Sequence, residues 1–529
     1  MITQIDFETI LKVWKEKLWH MRTSEIKPVS SGLYLKGFSD KIKDEAPIFL
    51  AYIEDGKILG VNSGYNTQTS FRSRGLWVDP DTRGKGIGKK LLQATIDYAK
   101  KAGAIYIWTM PRKESLFCYE SVGFEKTSDF FELECGTNCY AKLDLVERNY
   151  CPLPFIMLST LPSGQTRLCC KTVNNHVPDG NLNNKSVDEV WNGDYYENVR
   201  SQMKNGEYPS QCEVCYREDK AGKRSMRLKE LEIWGKQEKA DLPYYLDLRM
   251  GNLCNLQCRT CDSASSSQIH KEAKKLDYMP MFFKQKMEEA NSIKPWWEKE
   301  DIKKLLPTAK LLWMSGGEPT LVQAGKEFID YCIEKDYAKD IKLRYVINLT
   351  NLTEEFISKF KKFKSVDFHC SIDGLYEVND YLRYPSDFKT IANNLHRLQK
   401  TNAKLIMIIY TASIFNIYRT PEIIEWLEMF DRVSININPL NEPFMYHPNI
   451  LDDETKNMIK SELLSFETTP KLRNEIESLV QLMDTEIENK DKYRKEFALF
   501  VDAQDKVRKQ SFCDTFPELK SFYEMCKNV

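Results

Sequence analysis

The chain has 529 residues, and its 76 lysines and arginines nearly balance 77 aspartates and glutamates, for a formal net charge of −1 at pH 7. That length suggests roughly three or four domains at about 150 residues each, and the balanced charge gives no basis for a nucleic-acid or membrane-surface partner. The first residues lack the basic-then-apolar order of a signal peptide, and the longest apolar stretch, near 405–410, is far too short to span a bilayer, so a cytoplasmic protein is expected.

The first zone, 1–147, contains alternating segments at 104–110 and 139–145 that read as strands. Apolar Ile87, Leu91, Leu92, Ile96 and Ala99 recur at helical spacing and predict a helix over 86–101. The run Arg83-Gly84-Lys85-Gly86-Ile87-Gly88 follows the strand-like 75–79 and opens that helix. Glycines there let a backbone approach an anion, and a helix N-terminus offers free N–H groups and a positive dipole end. As a bare pattern this is also an ordinary tight turn. In context, Arg83, Gly86 and Gly88 match the Arg/Gln-x-x-Gly-x-Gly/Ala loop, and the segment resembles the acetyl-CoA site of GNAT-family acyltransferases. The run 117–124, with Tyr119, Gly123 and Phe124, is similar to that family's Tyr-x-x-x-Gly-Phe element. The resemblance implies acetyl-CoA held by Arg83, Gly84, Gly86 and Gly88, with Tyr119 as the acid for the departing thiolate. The alternative for Tyr119 is a packed core tyrosine. No general base stands out.

The second zone, 148–235, is rich in Gly, Asn, Pro and Cys and is too loop-rich to bury a core alone; such segments often need a metal staple. Pro162-Ser163-Gly164-Gln165 between apolar stretches reads as a hairpin turn. The hairpin brings Cys151 and Cys169 together, and the Cys212-x2-Cys215 knuckle completes a closed set of four thiolates. Zinc and a cubane cluster suit those ligands equally. The order Cys-x12-Gly-x4-Cys, then 180–182, then 186–192, then Cys-x2-Cys resembles a SPASM or twitch module, which implies an auxiliary [4Fe–4S] cluster. One cluster's worth of ligands fits twitch. Two departures stand out: the module precedes the third zone rather than following it, and Cys170 can replace Cys169.

The third zone, 243–440, alternates predicted strands at 244–249, 310–314, 343–348, 366–371, 405–411 and 433–438 with helical patterns such as 321–335, 354–363 and 388–400. Repeated β-then-α order implies parallel strands with right-handed crossovers, and six units suit a partial barrel. Directly after the first strand comes Cys254-x3-Cys258-x2-Cys261. Three thiolates are one too few for a closed cluster, so one iron is left open. This loop resembles the radical SAM superfamily motif, which implies a [4Fe–4S] cluster chelated by S-adenosylmethionine (SAM). Gly316, Gly317 and Glu318 lie in a Gly-Gly-Glu-Pro turn that in the family holds the SAM amino group. Thr350-Asn351 matches a common element after the third strand. Ser371 and Asp373, after the fourth, are expected SAM contacts, Arg383 a partner for its carboxylate, and Asn416 a further candidate.

The fourth zone, 441–529, is charged and helical over 454–466 and 470–507, its charges expected on a solvated face. The expected fold class is α/β. It comprises a GNAT α+β fold (1–147), a small cysteine-rich twitch-like module (148–235), a partial (β/α)6 radical SAM barrel (243–440) and a helical C-terminal extension (441–529). The resemblances imply hydrogen abstraction from a peptide or protein by a 5′-deoxyadenosyl radical, an electron donor such as flavodoxin or ferredoxin, and acetyl-CoA-dependent N-acetyl transfer. The rivals are a GNAT-like domain that only binds substrate, and a metal-stapled interaction protein. Nothing in the sequence identifies the substrate or the acyl acceptor.

Overall fold

Seven strands near the N-terminus hydrogen-bond in the order Ile2–Gln4, Ile48–Glu54, Lys57–Thr67, Ser70–Val78, Tyr106–Thr109, Ala141–Asp144 and Glu125–Lys126. The computed structural model describes residues 1–29, 46–67, 70–172, 176–220, 225–440 and 442–529. Neighbouring strands in this sheet are antiparallel except Ser70–Val78 with Tyr106–Thr109, which pair in parallel. That parallel pairing involves Ser70, Phe71 and Arg72 only. Beyond Arg72 the ladder between these two strands stops, and Ser70–Val78 runs on to the turn that opens helix Ile87–Lys101. The helix lies where the apolar spacing predicts it. Its buried stripe, Ile87, Leu91, Leu92, Ile96 and Ala99, faces the sheet; each large side chain so buried contributes about 1.5–3 kcal/mol.

The second sheet has nine strands, ordered His176–Asn181, Gln165–Arg167, Met157–Thr160, Tyr245–Leu248, Leu311–Met314, Lys342–Ile347, Ser365–Ser371, Leu405–Ala412 and Val433–Pro439. The last six are parallel and in sequence order, with helices such as Gln323–Glu334, Glu354–Phe360 and Phe388–Gln399 between them. Each predicted strand is present within one or two residues, because continuous apolar runs between helical patterns are strongly legible. Side chains alternate faces along each strand. Tyr345 and Phe368 pack on Phe356 and Phe360 of a covering helix. Asp247, Trp313, Arg344 and Asp367, in lateral register, form a row on the opposite, interior face.

The chain divides into two units: Met1–Phe155 with Lys171–Val173 and Glu197–Ala240, and Ile156–Cys170 with Asn174–Tyr196 and Asp241–Val529. The segment 148–235 is therefore shared between them. The predicted hairpin forms from Met157–Thr160 and Gln165–Arg167, but Met157–Thr160 also pairs in parallel with Tyr245–Leu248. An unpaired edge strand leaves a row of backbone groups unsatisfied, and the hairpin covers that edge of the barrel sheet.

The C-terminal extension differs from expectation in two ways. The helix read over 470–507 is two helices, Pro470–Met483 and Lys490–Arg508, with Asn489 at φ 58° before the second. Nor are all its charges solvated: Arg508 meets Glu272 in a buried two-bond pair at 2.7 and 2.6 Å. Its aromatic face, including Phe497, Phe512 and Phe516, packs on Phe415. No helix among the described residues is long and apolar enough to cross a membrane.

Candidate functional site

The first barrel strand ends at Leu248, and the loop carrying Cys254, Cys258 and Cys261 follows it. Such a loop has no ladder to satisfy its backbone, so every N–H and C=O needs another partner. Ser267 N donates to Asn252 O at 2.7 Å, Ser266 Oγ to Leu256 O at 2.7 Å and Asn252 Nδ2 to Ser263 O at 2.9 Å. Gln257 N and Arg259 N donate to Tyr384 O and Leu382 O at 2.5 and 2.8 Å. Arg259, fully buried between two of the cysteines, lies 3.7 Å over the Tyr381 ring, donates to Gln504 and Gln510 at 3.1 Å each, and pairs with Asp505. The C-terminal extension thus clamps the cysteine loop.

The three thiols are electrostatic neighbours. Burial pushes Cys254 up to about 11, raises Cys258, and raises Cys261 well above an ordinary thiol. The Arg383 guanidinium opposes the rise at Cys254 and Cys258. Among the described residues, no three His, Cys, Asp or Glu side chains gather tightly enough to hold a single metal ion. The cysteine loop presents three thiols with a cation beside them, a donor set chemically suited to an iron–sulfur cluster, in which each thiolate holds a different iron.

The Gly-Gly-Glu-Pro turn lies directly against this loop. Gly317 has φ 58°, and a Cβ there would stand 2.3 Å from Leu253 O; a Cβ on Gly316 would stand 2.8 Å from Arg249 Cβ. Both glycines are required by close approach of backbone and stem. Glu318 is 1% exposed, and its carboxylate is spent inside the protein. One oxygen accepts from Thr320 Oγ1 at 2.7 Å, the other from Asn348 N at 2.7 Å. Asn348 in turn donates to Asn255 Oδ1 at 2.9 Å, and Asn255 to Thr350 Oγ1 at 2.8 Å, which ties the turn, the cysteine loop and the end of the third barrel strand together.

Ser371 ends the strand Ser365–Ser371 and is half-buried. Asp373 accepts from Arg383 Nη1 at 2.7 Å and from Thr411 N at 2.9 Å. Asn416 is fully buried and donates to Asp373 O at 2.8 Å. Asp373 and Asn416 therefore hold neighbouring loops, whereas Arg383 Nε is buried with no hydrogen-bond partner among the described residues.

In the other unit, Gly84 and Gly86 have φ 82° and 77° with no atom within 4 Å of a Cβ position, so the loop before helix Ile87–Lys101 is open above its backbone. The first N–H groups of that helix have no intrahelical acceptor. Arg83 is exposed beside them, its Nε donating to Val78 O at 3.4 Å. Gly88 serves packing: a Cβ there would lie 2.9 Å from Cys118 Sγ. Tyr119 is 4% exposed, stacks edge-on against Phe124 and belongs to the domain core. Burial raises its pKa, and the hydroxyls of Thr109 and Ser73 oppose that rise.

Cys151, Cys212 and Cys215 are electrostatic neighbours within the same unit. Their supports are local: Tyr216 OH donates to Asn149 O at 2.6 Å, and Arg227 Nη1 to Tyr150 O at 2.9 Å. Cys169 and Cys170 end the hairpin and belong to the second unit, where Cys170 lies in the electrostatic field of Arg249. Sequence reasoning missed Arg249, Arg259, Asn255, Asn348, Tyr216 and Arg227. Only Arg259, a charge inside the cysteine motif, carries a sequence signal; Asn255 and Asn348 meet across 93 residues.

The acetyltransferase (GNAT) family matches residues 13–124, the SPASM iron–sulfur cluster-binding domain 151–216 and the radical SAM superfamily 248–427. The two iron–sulfur families imply [4Fe–4S] clusters and SAM. No curated protein matches the chain. Solved structures similar to part of it include an IAA acetyltransferase from Bacillus cereus (20% identity, 19% of this chain, 78% of that one, TM-score 0.17). Others are Ard1 from Thermoplasma volcanium (19% identity, 19% and 71%, TM-score 0.18) and an N-acetyltransferase from Staphylococcus aureus (21% identity, 19% and 68%, TM-score 0.17). The chain is a fusion, in this order, of a GNAT-family domain, a SPASM iron–sulfur domain and a radical SAM domain.

Proposed function

We propose that this chain generates a radical on a peptide or small protein from SAM, and that its N-terminal domain transfers an acetyl group from acetyl-CoA to the same substrate or its product. The observation that carries the reading is the gathering of three separated motifs in one neighbourhood: the cysteine loop, the 316–318 turn pressed on Leu253, and the Asp373–Arg383 pair beside Cys254 and Cys258. When bound, the cluster and SAM supply reductive cleavage to methionine and a 5′-deoxyadenosyl radical that abstracts hydrogen.

The protein's part is to bind, orient and exclude water. Cys254, Cys258 and Cys261 would hold the cluster as thiolates, giving up their protons when it binds. The backbone of Gly316 and Gly317 and the hydroxyl of Ser371 orient SAM. Arg383, held by Asp373, offers its unpartnered Nε to the SAM carboxylate. Glu318 and Asp373 act by fixing these loops. In the N-terminal domain, Gly84, Gly86 and the first turn of Ile87–Lys101 take the pyrophosphate of acetyl-CoA beside Arg83. Tyr119, kept protonated by burial, supplies a proton to the departing thiolate. Cys151, Cys212 and Cys215, neighbours within one unit, would hold the auxiliary [4Fe–4S] cluster, for which the SPASM resemblance implies Cys169 or Cys170 as the fourth ligand, with zinc the alternative metal.

Anaerobic reconstitution with iron and sulfide, followed by SAM and dithionite, tests the reading. The expected product is 5′-deoxyadenosine, with about eight irons per chain, falling to about four in Cys212→Ala. No 5′-deoxyadenosine from fully loaded protein refutes the radical reading. One observation favours a second reading of the N-terminal domain as a binding module: Tyr119 is packed in the core.

A further inference from the structure

Arg249 lies at the C-terminal edge of strand Tyr245–Leu248, five residues before Cys254, and none of the roles above uses it. Side chains two apart on a strand share a face, so Arg249 follows Asp247 on the interior face of the barrel sheet. Its stem is pressed against Gly316, where a Cβ would meet Arg249 Cβ at 2.8 Å and Cγ at 3.2 Å. Its backbone N donates to Thr160 Oγ1 at 3.1 Å. Among the described residues its guanidinium has no hydrogen-bond or ion-pair partner, and its Nε is buried. Arg249 is half-buried, so its guanidinium is partly withdrawn from water yet open to a ligand, a setting that favours an anion.

The surroundings define which anion. Arg167, on the appended hairpin, is the cation that acts on it most strongly, and Asp247, Cys170 and Asp262 act on it with the opposite sign. Arg167 is already compensated: its Nε donates to Ser159 Oγ at 3.1 Å and its Nη2 lies 3.6 Å from Asp247, whose other oxygen faces Ser315 Oγ at 3.4 Å. Further along the interior, Lys342 pairs with Asp367 at 2.5 Å, and Arg344 stacks 5.0 Å over Trp313 while standing 3.9 Å from Asp367. Along this row Arg167 stands against Asp247, and Lys342 and Arg344 stand against Asp367, while Asp262 acts on Arg249 without forming an ion pair with it. Arg249 is the one with no ion pair, and a single guanidinium matches a monoanion with a planar two-oxygen edge.

We propose that Arg249, flanked by Arg167, recognises a carboxylate of the radical substrate, either an acidic side chain or a free C-terminus of a peptide. A carboxylate there stands beside the turn that orients SAM, so recognition positions a neighbouring C–H for abstraction. The inference rests on the radical SAM reading of this unit.

The test uses the full-length, cluster-loaded protein with SAM, titrated calorimetrically with three probes. Acetyl-Ala-Glu-Ala-amide carries only a side-chain carboxylate, acetyl-Ala-Gln-Ala only a terminal one, and acetyl-Ala-Gln-Ala-amide none. The expected result is binding of at least one carboxylate probe and not of the neutral one, weakened about tenfold or more in Arg249→Gln and partly restored in Arg249→Lys. Which probe binds distinguishes the two sources. Affinity for SAM and the spectrum of the reduced cluster report separately on the radical SAM reading and should survive both substitutions. Binding of the neutral probe as tightly, no binding of either carboxylate, unchanged carboxylate binding in Arg249→Gln, or a parallel loss of SAM affinity in that variant would each overturn the proposal.

Discussion

Replacing Arg259 with methionine tests whether the C-terminal extension organises the cluster loop. Arg259 has a fully buried side chain, and Asp505 opposite is 13% exposed. The substitution removes charge-assisted bonds to Gln504, Gln510 and Asp505 and the stacking over Tyr381. Breaking a buried pair by removing one partner costs about 3–5 kcal/mol, because the other charge is left uncompensated. Here Asp505 keeps two donors, Tyr381 OH at 2.9 Å and Phe512 N at 2.7 Å, and the methionine restores apolar burial of about 1.5–3 kcal/mol. The expected loss therefore lies at the low end, about 3 kcal/mol. It falls on the loop between Cys258 and Cys261, so the same energy is withdrawn from the cluster-holding conformation. Thermal unfolding and iron content after reconstitution measure the two effects together. Arg259→Lys should be intermediate, since it keeps the charge but loses the fork. Arg259→Met/Asp505→Leu should recover part of the loss. If Arg259→Met costs less than about 1 kcal/mol and retains full iron loading, the clamp is not what holds the loop.

Gly317→Ala places a Cβ 2.3 Å from Leu253 O at a φ of 58°, so a loss of about 2–4 kcal/mol and of SAM binding is expected, checked by melting and equilibrium dialysis. Tyr119→Phe removes only a buried hydroxyl, so it should cost at most about 1 kcal/mol and should slow acetyl transfer about 100-fold. A stability loss with unchanged turnover would assign the residue to the core alone. His447, 6% exposed and with Nδ1 accepting from Asn449 N at 3.3 Å, is pushed down to about 4 by burial. The unfolded chain takes up its proton near pH 6.5 while the folded one does not, so stability present above that pH is lost as pH falls toward 4. Between pH 7 and 5 the contribution is about 2 kcal/mol. Chemical denaturation should show that much less pH dependence in His447→Asn, and an equal dependence in both proteins contradicts the assignment.

The local patterns were legible because they repeat along the chain. The helix over Ile87–Lys101 and the six parallel strands of the barrel follow from apolar spacing and β-then-α order, and the cysteine, glycine and Gly-Gly-Glu-Pro runs are short enough to be recognised as they stand. The break at 484–489 escaped because both flanking helices carry good helix formers, and the interruption is a conformational feature of Asn489.

Tertiary structure decided what these motifs do to one another. Met157–Thr160 is two apolar residues followed by Ser159 and Thr160, with no alternation to mark a strand, and it pairs along the edge that Tyr245–Leu248 offers. Glu318 and Asp373 look like ligand contacts in the sequence, yet their oxygens are spent on Asn348, Thr411 and Arg383. Arg249 and Arg259 are separated by ten positions and look alike, but one is fully partnered by the C-terminal extension and the other faces the barrel interior without a pair. Composition and spacing determine which groups a chain carries and which elements form locally. Which charges end up compensated depends on contacts between residues tens to hundreds of positions apart, because the desolvation cost of burial is settled only when the partner arrives.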